Sequence, residues 1–339
     1  MTISRVSCLL YSEGHSRRKD LRTLQIDTSQ INRRLSVRRN RGGMASFRRQ
    51  WPLYLLMILP MTFFLVFKYI PMMGVVVAFK EYNIFKGVWA SEWVGFAVFK
   101  EIFAMPQFYK ALRNTLMLNI FALLMFPIPI ILAVLLNEIR VQWYKRVSQT
   151  LLYLPHFISW VIVGGMAIRL LSTNTGSVNE FIKSLGGQPI PFLEEEILWI
   201  LTYTGAGVWH YAGWGTILYL AALTAINKEL YEAADVDGAS RLRKVWHITL
   251  PGIKPTIIVL FILQIGHMAD ISFEQPYALQ NGYVMDVAQV ISTYVYTVGI
   301  QSAQFALATA VGLFQSVVGL ILLLTAELIS RKVNQQGIF

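Results

Sequence analysis

Long apolar runs alternate with short polar segments along most of the chain. A helix needs about 20 mostly apolar residues to cross a bilayer, and six runs are long enough. Polar residues interrupt the fourth and fifth runs, and the first run continues toward Phe79. The pattern predicts an all-α membrane protein with six transmembrane helices. The predicted spans cover residues 52–70, 112–136, 150–171, 198–225, 249–269 and 304–329.

Lys and Arg are distributed unevenly among the segments that connect these spans. They are frequent before the first span and in segments 137–149, 226–248 and 330–339, whereas segment 271–302 contains none. In membrane proteins the cytoplasmic segments carry the excess of Lys and Arg. We therefore expect a multi-pass protein of the bacterial cytoplasmic (inner) membrane with both termini in the cytoplasm.

The segment before the first span is strongly basic. Residues 1–50 contain twelve Lys and Arg residues, and the whole chain has a net charge of +11. Residues 1–45 lack a sustained apolar period, so we expect a disordered cytoplasmic tail, followed by a six-span membrane domain over residues 46–339. A basic tail can bind nucleic acid, but no nucleic-acid-binding fold accompanies this one. Attraction to the anionic lipid bilayer explains the charge better, so we expect no nucleic-acid partner.

Composition and motifs argue against an enzyme. Hydrophobic residues make up 55% of the chain and charged residues only 14%, against about 25% charged in soluble domains. The single cysteine, Cys8, excludes an internal disulfide framework, and the five histidines show no metal-ligand spacing. The sequence has no phosphate-binding G-x-x-x-x-G-K-[ST] loop and no catalytic motif such as H-E-x-x-H. We expect no catalytic residues, no metal site and no ATP hydrolysis by this chain.

The most distinctive polar segment covers residues 232–251 and reads EAADVDGASRLRKVWHITLP. Good helix formers precede Gly238, which suits a helix end or a sharp turn, and a second short helix is expected from Ala239 to His247. Pro251 then lies early in the fifth span, where a missing N–H costs least. On these residues alone, an amphipathic loop on the lipid headgroups is an equally good interpretation.

The spacing within this segment resembles the signature loop of permease subunits from binding-protein-dependent ATP-binding-cassette (ABC) importers. Glu232-Ala233-Ala234 is followed after three residues by Gly238, after nine more by Ile248, and after one more by Leu250-Pro251. The resemblance covers roughly residues 50–339 and implies a type I ABC importer permease architecture. In that family the loop, here about 229–247, is a cytoplasmic coupling helix that sits in a cleft of the ATPase subunit. The implied ATPase-coupling residues are Glu232, Ala233, Ala234, Asp235, Gly238, Arg241, Leu250 and Pro251.

The same resemblance implies the partners of the chain. They are a second homologous permease subunit, two ABC ATPase subunits and an extracytoplasmic solute-binding protein. ATP and Mg would be bound by the ATPase subunits, so no cofactor is expected in this chain.

Three shorter fragments resemble the carbohydrate branch of these permeases, in its subgroup for oligo- and polysaccharides. They are Phe79–Asn83, Trp93–Phe96 and Arg113–Leu116. The resemblance implies a carbohydrate substrate, an oligosaccharide in particular. Some members of the subgroup handle acidic oligosaccharides, alginate among them.

Aromatic residues are concentrated in the fourth span. Rings with polar tips fit the apolar faces and hydroxyl edges of sugars, so they are candidate walls of a translocation path. Packing and the interfacial belt of Trp and Tyr are the alternative explanation. Two charges near predicted span ends are further candidates, because such charges are costly in lipid, although long side chains can also reach water there. The candidate path residues are Tyr203, Trp209, Tyr211, Trp214, Arg169 and Asp270.

Two other classes of function compete with this prediction. An ion-coupled secondary transporter would need ionisable residues at mid-membrane and commonly an internal repeat, and neither is clear in the sequence. A membrane-embedded enzyme would need a catalytic constellation at membrane depth, and none stands out. The resemblance therefore implies one half of the translocation path of an ATP-driven carbohydrate importer, for which we expect alternating access.

Overall fold

A computed structural model describes residues 43–334. Most of the predicted tail, residues 1–42, lies outside the described residues. The chain divides into two compact units between Met73 and Gly74. The first unit is helical in its described part: α1 covers Gly43–Phe64, a π-helical turn covers Leu65–Tyr69, and α2 covers Ile70–Met72.

The second unit opens with a small hairpin after a 3₁₀ segment at Met73–Phe79. Strand β1 (Lys80–Glu81) pairs antiparallel with β2 (Glu92–Trp93), and a short helix, α3 (Gly87–Ala90), lies between them. The ammonium group of the buried Lys80 donates to three backbone carbonyls of residues 88–91, at 2.8 to 3.2 Å. These bonds give the hairpin a fixed shape.

Helices make up most of the rest of this unit. They are α4 (Ala97–Ala104), α5 (Pro106–Leu124), α6 (Pro127–Glu138), α7 (Gln142–Tyr153), α8 (Trp160–Leu171), α9 (Ser177–Ser184), α10 (Glu196–Thr224), α11 (Lys228–Val236), α12 (Arg241–Lys244), α13 (Leu250–Gly266), α14 (Glu274–Leu279), α15 (Met285–Ala288), α16 (Ile291–Tyr296) and α17 (Phe305–Asn334). Leu154–Phe157 is 3₁₀-helical, and Val245–Thr249 and Thr297–Gln301 are π-helical turns.

Four helical stretches among the described residues are long and apolar enough to cross a membrane. They are Gln50–Phe79, Pro106–Glu138, Arg241–Gly266 and Phe305–Lys332. A fifth is present if the bent pair of Gln142–Phe157 and Trp160–Leu171 counts as one span. Helix α10 has 29 residues, but it does not qualify, because its glycines and polar aromatic residues interrupt the apolar run. Each of the six predicted spans is therefore mainly helical in the structure. That all six cross the membrane stays a prediction.

The predicted third span is not one continuous helix. The helical axis turns by 99° between α7 and α8. Ile158 and Ser159 are both extended, with ψ angles of 129° and 148°. Pro155, which lacks an N–H, lies in the 3₁₀ turn just before this break.

The predicted second and fifth spans differ in their boundaries. The second is divided by a turn at Met125 and Phe126, and Pro127 opens α6 at a position where proline is well tolerated. The fifth begins earlier than predicted. It runs from Arg241 through the π-helical turn to Gly266, so the expected separate helix from Ala239 to His247 is wrong.

Two apolar clusters fix the helices that matter for function. One joins α8, α10 and the segment 279–290 around Trp160, Trp199 and Tyr203. The other joins α6, α10 and α13 around Tyr219, Leu223 and Ile253. Helix α10 belongs to both clusters, so it is the central helix of this unit.

Candidate functional site

The predicted coupling loop forms a compact helix-turn-helix, which we call the elbow (residues 226–252). Its first arm is α11. The Asn227 side chain accepts a hydrogen bond of 3.0 Å from the Glu229 backbone N–H at the start of this helix. At its end, Gly238 N–H donates to Asp235 O and Ala239 N–H donates to Ala234 O, at 3.1 and 2.8 Å. This pair of bonds is a Schellman motif, which satisfies the last carbonyls of the helix.

Gly238 is required by this turn. Its φ angle is +70°, in the left-handed region, and a Cβ atom there would meet no other atom within 4 Å. The constraint is therefore one of backbone conformation rather than of space, because a residue with a side chain pays about 1–2 kcal/mol for this conformation.

The second arm is continuous with the long helix behind it. Ser240 begins the arm, and its hydroxyl accepts a hydrogen bond from the Arg243 N–H. The π-helical turn ends at Thr249, and Leu250 N–H bonds to Val245 O, five residues back, as in a π-helix. Pro251 follows, and it has no N–H to continue the series of backbone hydrogen bonds. Arg241 and Gly266 are the ends of one rod of 26 residues, about 39 Å long at 1.5 Å per residue.

Three contacts join the two arms of the elbow. Ile226 packs against Gly252 so closely that a Cβ atom there would lie 2.7 Å from Ile226 Cδ1. The hydroxyls of Tyr231 and of the buried Thr249 are 2.9 Å apart. Lys244 Nζ lies 2.6 Å from the Asp235 carboxylate. With these three contacts the elbow is a rigid unit.

The elbow exposes apolar side chains that the motif does not include. Their exposed fractions are 53% for Leu230, 88% for Val236, 72% for Leu242 and 67% for Trp246. Large apolar side chains left exposed on a polar loop are candidates for contact with another molecule. Sequence reasoning missed them because it followed the spacing of the motif rather than the faces of the two arms.

The structure places the predicted coupling residues in two groups. Leu250 and Pro251 lie farther along the second arm, at the start of α13. The others surround the turn of the elbow, where all but the half-buried Ala234 are exposed. They are Glu232, Ala233, Ala234, Asp235, Gly238 and Arg241. Their role in coupling stays a prediction.

A cavity of about 510 Å³ lies beside α10. Four of the six predicted path residues line it, namely Tyr203, Tyr211, Trp214 and Asp270. Trp209 lies on the same helix but outside the lining, and Arg169 lies in the last turn of α8, also outside it. Only these four residues therefore line a common cavity. That any of the six contributes to a translocation path stays a prediction.

Amide and imidazole side chains provide part of the polar lining, and the sequence analysis did not single them out. They are Asn119, Gln264, His267 and Gln275. For Asn119, Gln264 and His267 the available signal was a polar residue inside a predicted span, where such groups need partners. Gln275 follows the fifth predicted span and gave no such signal. The lining contains one carboxylate, that of Asp270, and no Lys or Arg. Among the described residues, no group of three or more His, Cys, Asp or Glu could hold a metal ion.

Side-chain amides hold the cavity together. Asn119 Nδ2 donates to the backbone oxygens of Met268 and Asp270, at 2.9 and 3.2 Å. Gln275 Nε2 donates to Tyr203 O at 3.0 Å. The first two bonds tie α5 to the turn after α13, and the third ties α14 to α10. Gln315 Nε2 also donates to the Asp270 carboxylate, at 2.9 Å, which fixes the charge at the edge of the cavity.

Close packing fixes the wall formed by α10. A Cβ atom at Gly213 would overlap the backbone carbonyl of Leu152, and one at Gly215 would lie 3.2 Å from Pro129. His210 Nε2 and Ile158 O are 2.9 Å apart, so the imidazole satisfies a carbonyl at the break between α7 and α8. Trp160 Nε1 donates to Tyr211 OH at 3.1 Å.

The fragment Arg113–Leu116 holds the segment after α14 in place. The fully buried Asn114 donates from Nδ2 to the backbone oxygens of Asp286 and Gln289, both at 2.9 Å. The hydroxyl of Thr115 accepts a hydrogen bond of 2.9 Å from Ile291 N–H, and Lys110 forms an ion pair with Asp286. The start of α5 thus fixes segment 286–291.

Comparison with known proteins identifies the family. Residues 107–335 match the family described as "Binding-protein-dependent transport system inner membrane component". Protein LplB of Bacillus subtilis (strain 168) is 49% identical over 297 residues, which are 87% of this chain and 93% of LplB. The polygalacturonan/rhamnogalacturonan transport system permease protein YteP of the same organism is 48% identical over 290 residues, covering 85% of this chain and 90% of YteP.

A solved structure agrees with these relatives. A chain of a bacterial alginate ABC transporter, crystallised in complex with an alginate pentasaccharide-bound periplasmic protein, is similar to this chain with a TM-score of 0.77 at 40% identity. The match covers 86% of this chain and 98% of that chain. The comparisons give no support to an ion-coupled secondary transporter. The chain belongs to the binding-protein-dependent inner membrane permeases, with the type I ABC permease fold, and is the permease subunit of a carbohydrate ABC importer that works with a solute-binding protein.

Proposed function

We propose that this chain forms one half of the translocation path for an oligosaccharide, beside a second homologous permease subunit. Two ATPase subunits would bind ATP and Mg on the cytoplasmic side, and both termini of this chain would lie there too. The solute-binding protein would deliver the sugar from outside. The observation that carries the proposal is the elbow, which combines the family's signature spacing with a rigid build and an exposed apolar surface.

The exposed surface of the elbow supports contact with an ATPase. Val236 and Leu242 lie on opposite sides of the turn and leave most of their surface uncovered. In a cytoplasmic loop such groups favour a protein partner, because water solvates them poorly. The exposed Glu232 and Arg241 beside them offer charged contacts at the rim, which fit the polar rim of an interface.

The rod behind the elbow supports transmission of movement. The second arm continues without interruption into α13, and the turn after α13 carries His267 and Asp270 of the cavity lining. A displacement of a rigid elbow would move the inner end of this rod, and the rod would shift the polar lining at its other end. Alternating access follows if the two ends of the cavity open in turn.

The cavity supports a sugar as substrate. Its aromatic rings can stack on the apolar faces of a sugar, and its amide groups can bond to hydroxyls. The volume of about 510 Å³ lies within the range of ligand pockets, roughly 300–1,000 Å³.

The class of oligosaccharide is a separate part of the proposal. YteP is named for polygalacturonan and rhamnogalacturonan, and a second solved structure is described as a transporter for "the acidic polysaccharide alginate". On that similarity we propose a uronate-containing oligosaccharide for this chain. Because the lining contains no Lys or Arg, this chain would recognise hydroxyls and ring faces. The carboxylates of the sugar would then be bound by water or by the second permease subunit.

Uptake into vesicles tests the transport proposal. The complete transporter with its binding protein should import radiolabelled oligosaccharide only with ATP, and Leu242→Asp should reduce the rate at least tenfold by placing a charge in the ATPase contact. Leu185→Asp is the matched control, because Leu185 is 73% exposed and lies outside the elbow, so its rate should stay near wild type. Equal rates in the two variants, or uptake without ATP, would refute the proposal. Competition between uronate-containing and neutral oligosaccharides then decides the substrate class independently.

A further inference from the structure

Helix α7 is not explained by the elbow or by the cavity lining. It has 12 residues, about 18 Å in length, so it is too short to cross a hydrocarbon core of about 30 Å. Its axis turns by 99° relative to α8, so the two do not form a straight span. It follows the predicted cytoplasmic end of α6 directly, at the membrane boundary.

The two sides of α7 differ in their surroundings. One side packs on α10. There the backbone of Leu152, on α7, lies so close to Gly213, on α10, that a side chain at Gly213 would overlap it. The other side is not covered by any described residue of its own unit, residues 74–334. It exposes large apolar and aromatic side chains, among them Trp143, of which 71% is exposed. The exposed set is Trp143, Tyr144 and Leu151 on α7, continued by Leu154 and Phe157 in the 3₁₀ turn that follows it.

Three cations lie on α7 or just before its first residue. Arg140 and Arg146 are exposed and Lys145 is half-buried. Among the ion pairs of the described residues, none joins a carboxylate to any of the three. Residues 139–153 contain no Asp or Glu, and the nearest acid in sequence is the preceding Glu138. The positive charge is therefore not balanced locally.

Aromatic rings and unpaired cations on one short helix favour a charged lipid surface over a protein. Trp and Tyr prefer the boundary between headgroups and hydrocarbon, and each Lys or Arg near an anionic leaflet strengthens binding about fivefold. An apolar face with cations at its edge is the pattern of an interfacial amphipathic helix. A neutral surface would leave the cations without partners.

We propose that α7 binds anionic phospholipid of the cytoplasmic leaflet. Headgroup phosphates meet Arg140 and Arg146, while Trp143 and Tyr144 lie at the level of the headgroups and Leu151 and Leu154 reach the acyl chains. Because α7 is fixed against α10, the lipid also supports the helix that forms the cavity wall. This binding is separate from the contact with the ATPase and does not depend on it.

Photo-crosslinking tests the proposal. The complete transporter is placed in phosphatidylcholine vesicles that contain increasing fractions of a photoactivatable phosphatidylglycerol, and labelled peptides are mapped by mass spectrometry. We expect labelling within residues 139–154, and a rise of at least tenfold in the lipid fraction needed for half-maximal labelling in Arg140→Gln/Arg146→Gln. The matched control is Lys86→Gln/Lys100→Gln, which removes two exposed cations from outer segments and should leave labelling of α7 unchanged.

Wild-type protein alone also decides the question, should the variant fold poorly. Raising the salt concentration from 0.05 to 0.5 M should weaken the labelling by phosphatidylglycerol severalfold, because salt screens exposed charges. Equal labelling by photoactivatable phosphatidylcholine and phosphatidylglycerol, or labelling unaffected by the double substitution, would overturn the proposal. Crosslinks from α7 to another subunit instead of lipid would do the same.

Discussion

The elbow and the cavity are built in different ways from the same chain. The contacts that join the two arms of the elbow all lie within residues 226–252, and its motif is continuous in sequence. The cavity combines residues from Leu118 to Gln275, on elements far apart in the chain. Because its contacts are local, the elbow can keep its shape when another protein binds to it. The shape of the cavity instead depends on how several helices pack against one another.

The two sites also use different chemistry. Most contacts that shape the elbow are hydrogen bonds and one ion pair at a water-exposed surface, so each is worth little alone. The cavity is shaped by amides that bond to backbone oxygens and by glycines that admit a neighbouring backbone. A change of one methyl group is therefore expected to do more harm in the cavity wall than in the elbow.

The largest effect is expected at Gly213. Gly213→Ala places a Cβ atom on the Leu152 carbonyl and should separate α7 from α10. Overpacking of this kind costs typically 1–3 kcal/mol, so the unfolding temperature of the purified transporter should fall by several degrees and its yield should drop. Gly205→Ala on the same helix meets open space and should have little effect. Equal unfolding temperatures for the two variants would contradict the claim that close packing at Gly213 stabilises the cavity wall.

The elbow should respond to backbone conformation rather than to volume. In Gly238→Val the Cβ atom meets no neighbour within 4 Å, but a β-branched residue does not readily adopt the left-handed conformation, so the turn should change shape. We expect ATP-driven uptake to fall at least tenfold while the unfolding temperature stays within a few degrees of wild type. Gly238→Asn is the control, because Asn tolerates this conformation, and it should retain most of the uptake. Loss of uptake in both variants to the same degree would contradict the role given to the turn.

The sequence predicted these two sites to different extents. The spacing from Glu232 to Pro251 located the elbow, because its contacts are local and Gly238 marks its turn. The cavity was predicted only in part: the aromatic content of α10 pointed to Tyr203, Tyr211 and Trp214, but periodicity could not exclude Trp209. Asn119 and Gln275 were missed, since their partners are backbone oxygens more than 70 residues away.

The same limit explains the errors in the helices. Hydropathy predicted apolar segments but not the break at Ile158 and Ser159, which depends on the Pro155 turn and on His210 from another helix. The local residue preferences also predicted a helix end at His247, whereas the helix continues through the π-helical turn and past Pro251.

A pair of tryptophans separates lining from non-lining positions on α10. Trp214 and Trp209 are 47% and 45% exposed, but only Trp214 lines the cavity. Stacking contacts contribute about 0.5–1.5 kcal/mol, so Trp214→Ala should raise the half-saturating sugar concentration for uptake about threefold to tenfold. Trp209→Ala should leave it near the wild-type value. The reverse order would show that the path lies on another face of α10.

The smallest effect is expected from the hydrogen bond between the arms of the elbow. Tyr231→Phe removes a single hydroxyl, and bonds of this kind contribute about 0.5–1.5 kcal/mol. Uptake should fall about twofold to fivefold, and amide exchange in residues 228–249 should accelerate. In Thr249→Val the partner hydroxyl is already absent, so adding Tyr231→Phe should cause little further loss. Additive losses would show that the two hydroxyls act separately.

The most direct measurement of the central claim is a crosslink from the elbow. With Cys8→Ser as background, Val236→Cys provides one thiol at the most exposed apolar position of the elbow, and Leu185→Cys provides a control thiol on the opposite side of the predicted topology. The account predicts that a short bifunctional reagent joins Val236→Cys to the ATPase subunit in a transporter that retains ATP-driven uptake, and that Leu185→Cys gives no such product. Uptake near wild type with no crosslink from Val236→Cys to the ATPase would contradict it.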